Sequence, residues 1–231
     1  MPTPSGDESR GWGAMIHRLI AVVAVLAGFV TAAGTASAHP HVWVTMRSEL
    51  LYAPDGSVTG VRHNWTFDDM FSAFATTGLQ KTDGSFTRDA LQPLAKVNID
   101  SLKAYGYFTY PKVNGRRQKD AFGAPTDYWA EYDPKETVLT LHFTLPFKKP
   151  IKAKSLEIEV YDPEFFVDFD FAKNKPVMLV GAPPRCKVAT DKPPDSNFPS
   201  LFFKLGQPLI TSEANIGMGA DFANTISVEC P

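Results

Sequence analysis

Hydrophobic and polar residues alternate along residues 41–52, which is the pattern of a β-strand with one buried and one exposed face. Val42 and Val44 share one face of this stretch, whereas His41 and Trp43 share the other. The pattern therefore predicts that the first strand places a histidine and a tryptophan on its polar face.

A second alternating stretch follows at residues 58–67, after the turn sequence Pro-Asp-Gly at residues 54–56. Val61, His63 and Trp65 lie on one face of it, so we expect His63 to be a core histidine. The two stretches together predict a β-hairpin.

Helical spacing of apolar residues replaces the alternation over residues 68–79 and 87–105. Thr87 and Asp89 are suitable residues for the start of the second helix. The sequence therefore predicts a two-helix insertion, at about residues 68–105, after the first hairpin.

Short strand-like runs then return, and prolines fall between most of them. Strands at such short spacing predict a mostly β fold of the α+β class, an antiparallel β-sandwich over residues 39–190 with the helical insertion. Residues 191–231 read as a loop-rich tail with a last strand at 225–229. The predicted strands cover residues 107–113, 126–132, 138–145, 156–161, 165–171, 177–180 and 185–189.

The amino-terminal segment has the architecture of an export signal. An apolar run of about a dozen residues at 19–30 is shorter than the roughly 20 residues that span a bilayer. The small residues at 36–38 suit cleavage by a signal peptidase, which predicts a signal peptide over 1–38, a periplasmic location and a mature chain that begins at His39. The acidic leader before Met15 suggests that Met15, and not Met1, is the natural start.

The net charge, the apolar stretches and the cysteine count indicate which partners and which redox environment the protein has. The net charge of −2 gives no reason to expect nucleic acid binding, and no second apolar stretch reaches membrane-spanning length. Cys186 and Cys230 are the only cysteines, and an even number in an exported chain suggests a disulfide. The chain-entropy model gives such a loop about 4 kcal/mol of stabilisation, and the bond would tie the tail to the body.

The predicted new amino terminus carries the His39-Pro40-His41 sequence. Two histidines at strand spacing point their rings to one face, where they can bind Zn, Ni, Co or Cu if further donors are present. After cleavage, the free amine of His39 can join its ring as a ligand. Pro40 has no N–H to lose, so a square-planar site through backbone amides is excluded. The alternative is that both histidines simply begin an exposed strand.

Three further residues are candidates to complete a metal site. His142 lies on the polar face of its predicted strand, and one of Asp68 or Asp162 can supply a carboxylate. Asp68 fits equally well as the N-cap of the first helix. Asp168 and Asp170 share a strand face, but alternation of Asp with Phe is also typical of a strand with one wet and one packed face.

No familiar catalytic motif is present: the chain has no Gly-x-Ser-x-Gly elbow, no phosphate-binding Gly-rich loop and no His-Glu-x-x-His helix. We therefore assign no catalytic residues. Aromatic residues are abundant and could line a sugar groove, although no pattern singles them out; they are Tyr105, Tyr107, Tyr110, Tyr128, Trp129 and Tyr132.

Five short segments taken together resemble the DUF1007 family of bacterial exported proteins. They read AHPHVWV at 38–44, WTFDDMFS at 65–72, YGYFTY at 105–110, LHF at 141–143 and YDPEFFV at 161–167. The resemblance spans about residues 39–190, with Asp69 where the family pattern leads us to expect Glu. Members are often labelled as periplasmic components of an uncharacterised transport system and are commonly found beside nickel/cobalt-type transporters, which implies a role in periplasmic metal handling.

Three hypotheses for the function follow. The first is a periplasmic protein that binds a divalent transition metal through His39 and His41 and exchanges it with a membrane metal transporter. The second is a non-metal interaction module for an envelope or transporter partner. The third is a copper-dependent oxidative enzyme that uses the amino-terminal histidine, with His142 or His63 as a further ligand.

Overall fold

A computed structural model describes residues 41–193 and 220–231. The predicted signal segment at 1–38, the proposed start at Met15, the residue His39 and residues 194–219 of the predicted tail lie outside the described residues. The helices and strands, in chain order, are β1 (Val42–Tyr52), β2 (Val58–Phe67), α1 (Asp69–Ala75), α2 (Arg88–Leu102), a 3-10 segment (Lys103–Phe108), β3 (Thr109–Val113), β4 (Arg116–Arg117), β5 (Thr126–Asp133), β6 (Val138–Ile151), β7 (Ser155–Val160), β8 (Val167–Phe171), β9 (Val177–Val180), β10 (Lys187–Asp191) and β11 (Asn224–Glu229).

The first sheet is built around the predicted hairpin. Its strand order is β5-β6-β2-β1-β8, and β9 also pairs with β1. The alternation along β1 is confirmed, because Val42, Val44 and Met46 are buried while His41 and Trp43 are exposed. The outer face of this sheet at β1 is therefore formed by Trp43, Thr45, Arg47 and Glu49, whereas Ser48 is buried on the inner face.

The strands that complete the first sheet differ from the expected antiparallel arrangement. β1 pairs in parallel with β8, from Val42 opposite Val167 onward, and also in parallel with β9. The other pairs among the described strands are antiparallel. Alternation decides which face of a strand is buried but not in which direction its neighbour runs, so the sequence pattern could not reveal the parallel pairs.

The second sheet has the order β10-β11-β7-β3-β4 and includes the predicted last strand. Ile226 and Val228 of β11 are buried, so the end of the predicted tail is an integral part of this sheet. The predicted Cys186–Cys230 disulfide is confirmed. Lys187 of β10 pairs with Glu229 of β11. Cys186 directly precedes Lys187 and Cys230 directly follows Glu229, so the disulfide lies at the end of this strand pair.

The two predicted helices are present and shorter than expected. The side chain of Asp68 caps α1, and the Thr87 hydroxyl caps α2 by accepting a hydrogen bond from the Ala90 N–H at 3.2 Å. The apolar face of α2 buries Leu91 and Ile99. In the described part of the chain, no helix is long and apolar enough to cross a membrane.

A cluster of aromatic side chains lies in the core between the sheets. The indole of Trp65 packs edge-on against Phe143 and Phe169, with ring centroids 4.8 and 4.9 Å apart. His63 is fully buried beside this cluster, as expected for a core histidine. The fold is therefore a mostly β sandwich with a helical insertion, as predicted, apart from the parallel pairs at β1.

Candidate functional site

Two hydrogen bonds fix the backbone at the start of β1. The His41 N–H donates to the carbonyl of Phe166 at 2.9 Å, and the Trp43 N–H donates to Asp68 Oδ2 at 2.8 Å. The imidazole of His41 lies against the ring of Phe166, with centroids 4.8 Å apart. His41 is exposed, so an anchored backbone holds its ring at the protein surface.

A carboxylate lies on the same outer face, on the neighbouring strand. In the parallel pairing of β1 with β8, Trp43 is in register with Asp168, and the next pair, Val44 with Phe169, is buried. Because successive side chains alternate between faces, His41, Trp43 and Asp168 belong to the outer face. The alternation of Asp with Phe was visible in the sequence, but the register that brings Asp168 beside this strand was not.

Asp68 acts at the junction of β2, β1 and α1. One carboxylate oxygen accepts the Phe71 N–H at 2.8 Å as an N-cap, and the other accepts the Trp43 N–H. Both oxygens are therefore committed to backbone donors. The structure thus shows the capping role that the sequence left open for Asp68.

Asp162 has a similar structural task in the turn before β8. Its Oδ1 accepts the Glu164 N–H at 2.9 Å, and its Oδ2 accepts the N–H groups of Phe166 and Val167, each at 3.0 Å. The residue is buried. A carboxylate that satisfies three backbone donors fixes the turn that presents Phe166 to His41.

His142 lies on β6 in a separate cluster. Its Nδ1 is 2.6 Å from Asn64 Oδ1, its Nε2 is 3.0 Å from Glu131 Oε1, and its ring stacks on Trp129 at 3.9 Å. Burial lowers the pKa of His142, and the carboxylate of Glu131 opposes this effect only in part. Its imidazole is therefore partly buried and is contacted by Asn64, Glu131 and Trp129.

The strand register separates His142 from His41. His142 pairs with Asn64, and Asn64 pairs with Arg47, which is six positions along β1 from His41. At about 3.3 Å per residue this is roughly 20 Å along the strand, in addition to the spacing of two strands. The structure therefore does not bring His142 to His41, and a site at the start of β1 cannot include both.

Within residues 41–193 and 220–231, no group of three His, Cys, Asp or Glu side chains is close enough to hold a metal ion. The described donors at the start of β1 are one imidazole and one carboxylate, from His41 and Asp168. Nitrogen and oxygen donors of this kind suit Zn, Ni, Co and Cu. The other histidine predicted as a ligand, His39, lies outside the described residues.

Similarity to known proteins places this chain in a family. A family model described as "Protein of unknown function (DUF1007)" matches residues 24–230, which is most of the chain. The chain belongs to the DUF1007 family. This DUF1007 protein is also 32% identical, over 98 residues, to an uncharacterized 15.5 kDa protein in the trpE 3' region of Spirochaeta aurantia. The matched part covers 42% of the DUF1007 chain and 67% of that relative.

Three of the five segments that resemble the family meet at the start of β1. The segment at 65–72 provides Asp68, which binds the Trp43 N–H, and the segment at 161–167 provides Phe166, which contacts His41. The segment at 38–44 provides Trp43 and His41 themselves. The fold of this DUF1007 protein thus gathers pieces that are distant in sequence into one exposed corner.

Proposed function

We propose that this DUF1007 protein is an exported protein that binds a divalent transition metal at the start of β1. His39 and His41 supply imidazoles, the free amine of His39 joins after signal cleavage, and Asp168 supplies a carboxylate. The observation that carries the proposal is the anchored, exposed imidazole of His41 on the face where Asp168 pairs with Trp43.

The exported location and the transport role belong to the same proposal. The Cys186–Cys230 disulfide is typical of proteins in an oxidising compartment, and this supports export. The resemblance to proteins found beside nickel/cobalt-type transporters supports a membrane metal transporter as the partner. In this role the protein exchanges the metal with the transporter and performs no catalysis.

The proposal is tested by calorimetric titration with Ni, Co, Zn and Cu. The protein is produced with its signal segment, and mass spectrometry first establishes whether the processed chain starts at His39. We expect at least one metal to bind with a Kd below about 10 µM. His41→Ala and Asp168→Asn each remove a donor and should weaken binding at least about tenfold and about threefold, respectively.

Two matched controls make the result specific to this corner. His142→Ala removes an imidazole roughly 20 Å away and should change the Kd by less than about twofold. An extra glycine before His39 removes the amine chelate and should weaken binding while both rings are retained. The proposal fails if no metal binds more tightly than about 10 µM, or if His142→Ala weakens binding as much as His41→Ala.

A second candidate function, docking of an envelope or transporter protein, is favoured by exposed apolar side chains near the same corner. Trp43 is 46% exposed, and Met70 and Phe74 on α1 are 71% and 79% exposed. Met70 and Phe74 are four residues apart and therefore share one helix face. Replacing both by Ser would abolish docking and leave metal titration unchanged, whereas His39→Ala with His41→Ala would do the reverse.

The hypothesis of a copper-dependent enzyme gains no support from the described histidines. His63 is fully buried with both ring nitrogens beside hydroxyl groups, and His142 lies far along the sheet. Neither is placed to join His41 as a further nitrogen ligand.

A further inference from the structure

A cavity of about 770 Å³ has no residue of β1 in its lining. It lies beside the 3-10 segment and the β3–β4 hairpin, and Tyr107, Tyr110, Tyr128 and Tyr161 contribute to its walls together with small apolar residues and prolines. The volume is within the range of sites that bind small molecules. Three of the tyrosines considered for a sugar groove are thus brought together, while Trp129 stacks on His142 elsewhere.

One wall of the cavity is formed by packed tyrosine rings and by the guanidinium of Arg117, whose hydrogen-bond partners are protein groups. The rings of Tyr110 and Tyr161 pack together at 4.5 Å, and the guanidinium of Arg117 lies 5.1 and 5.7 Å from their centroids. Arg117 also donates to the Tyr161 hydroxyl at 2.9 Å and to the buried Glu159 at 2.5 Å. Glu159 is in addition paired with Lys112. The carboxylate of Asp162 also acts on Tyr110, so two cations and two carboxylates balance at this wall.

The rim of the cavity adds two lysines without an opposing charge. Lys103 and Lys119 line the cavity and form no ion pair with any described residue. The two carboxylates of the lining, Asp100 and Asp120, are each held by a lysine, Lys96 and Lys148 respectively. The free charge at the rim is therefore positive.

The tyrosine hydroxyls do not offset this charge. Burial raises the pKa of Tyr107, Tyr110 and Tyr161, so these groups stay protonated. The Tyr107 hydroxyl hydrogen-bonds to no described residue, and it remains available to a bound molecule. The backbone at Tyr107 and Phe108 is left-handed, with φ of 57° and 49°, which is a strained conformation of the kind that concentrates at functional sites.

We propose that this cavity binds a small organic anion: a carboxylic acid with a ring-shaped, largely apolar body. The body packs against the tyrosine walls, and the carboxylate faces Lys103 and Lys119 at the rim. Aromatic walls with a few charged groups at one end are typical of sites that fix both the body and the orientation of such a ligand. This site shares no ligand-binding residue with the proposed metal site.

The test uses naphthalene-2-carboxylate as the probe and its uncharged carboxamide as the matched ligand, with calorimetry on the whole protein. We expect the carboxylate to bind one site with a Kd below about 200 µM and the carboxamide at least about tenfold more weakly. The double substitution Lys103→Glu with Lys119→Glu should weaken carboxylate binding about tenfold or more.

The control variant carries Lys135→Glu with Lys173→Glu, two exposed lysines outside the cavity lining, and therefore has the same net charge. It should bind the carboxylate within about twofold of the unmodified protein. The proposal is overturned if the carboxylate shows no saturable binding up to about 2 mM, if both double variants weaken binding equally, or if the carboxamide binds as well as the acid. His41→Ala should leave this binding unchanged, which separates the outcome from that of the metal titration.

Discussion

His63 connects the two sheets through its imidazole. Ser48 Oγ lies 2.9 Å from Nδ1, and Thr109 Oγ1 lies 3.3 Å from Nε2. The Thr109 hydroxyl donates to the Tyr107 carbonyl at 2.8 Å, so its oxygen must accept a hydrogen bond from the Nε2–H group while Ser48 donates to Nδ1. The ring is therefore neutral in the folded protein, and burial lowers its pKa from 6.5 to about 3.

This residue predicts an acid-dependent loss of stability. Between pH 6.5 and about 3 the unfolded chain binds a proton at His63 and the folded protein does not, so the free energy of unfolding falls as the pH falls through this window. The slope from this residue alone approaches about 1.4 kcal/mol per pH unit. Urea unfolding between pH 7 and 5, above the range where most carboxylates titrate, measures it.

The variant His63→Gln keeps an amide that can donate and accept but does not titrate. We expect it to be less stable at pH 7 and to lose most of the slope between pH 7 and 5. His142→Gln is the matched control, because its histidine is only partly buried and should contribute a smaller slope. An unchanged slope in His63→Gln would refute this assignment.

At the scale of elements, β2 and β6 meet at an irregularity that depends on a glycine. Gly60 pairs with Pro146, and the register shifts between Val58 and Gly60. A Cβ added at Gly60 would lie 2.6 Å from the Leu145 carbonyl oxygen and 3.1 Å from Pro146 Cα. The backbones are therefore closer here than any other residue permits, and β6 continues past Pro146 to Ile151 instead of ending near residue 145 as predicted.

We expect Gly60→Ala to destabilise the protein by about 1–3 kcal/mol, because one strand must move away from the other. The control is Gly123→Ala, which would place its Cβ at an ordinary 3.6 Å from the side chain of Pro146. That change should alter the free energy of unfolding by less than about 0.5 kcal/mol. Urea unfolding of the two variants compares them directly; equal stabilities would show that the sheet absorbs the clash.

One turn serves both candidate sites. The carboxylate of Asp162 holds this turn by accepting hydrogen bonds from three backbone N–H groups. Within the same turn, Phe166 contacts His41 and Pro163 lines the cavity. The positions of the two sites therefore depend on the same buried carboxylate, although their ligand-binding residues differ.

At the scale of the whole molecule, the disulfide joins residues 44 positions apart. Cys186 precedes β10 and Cys230 follows β11, so the bond closes a loop that includes both strands. Replacing both cysteines by serine should lower the free energy of unfolding by up to about 4 kcal/mol. Reduction of the unmodified protein with dithiothreitol should produce a similar loss and have no effect on the serine variant. Equal stability before and after reduction would contradict the expectation.

The sequence predicted local structure well because alternation and caps act over a few residues. It located the first hairpin, both helices, the disulfide and β9, and it identified His63 as a core residue. It could not show that β8 runs parallel to β1, so the position of Asp168 beside Trp43 was missed. The sequence pattern also does not determine the distance between His41 and His142, because that distance depends on strand order and register across the sheet.

The central position of β1 has a consequence for how the chain folds. β1 begins at Val42, yet one of its two edges is filled by Val167 and the residues after it. A nascent chain shorter than about 170 residues can form the hairpin but must leave that edge open. Pairings between residues so distant in sequence slow folding. The entropy cost of closing the intervening chain must be met before the strand contacts contribute favourable free energy. The protein should therefore complete its first sheet late and cooperatively, once the chain has reached β9, which ends at Val180.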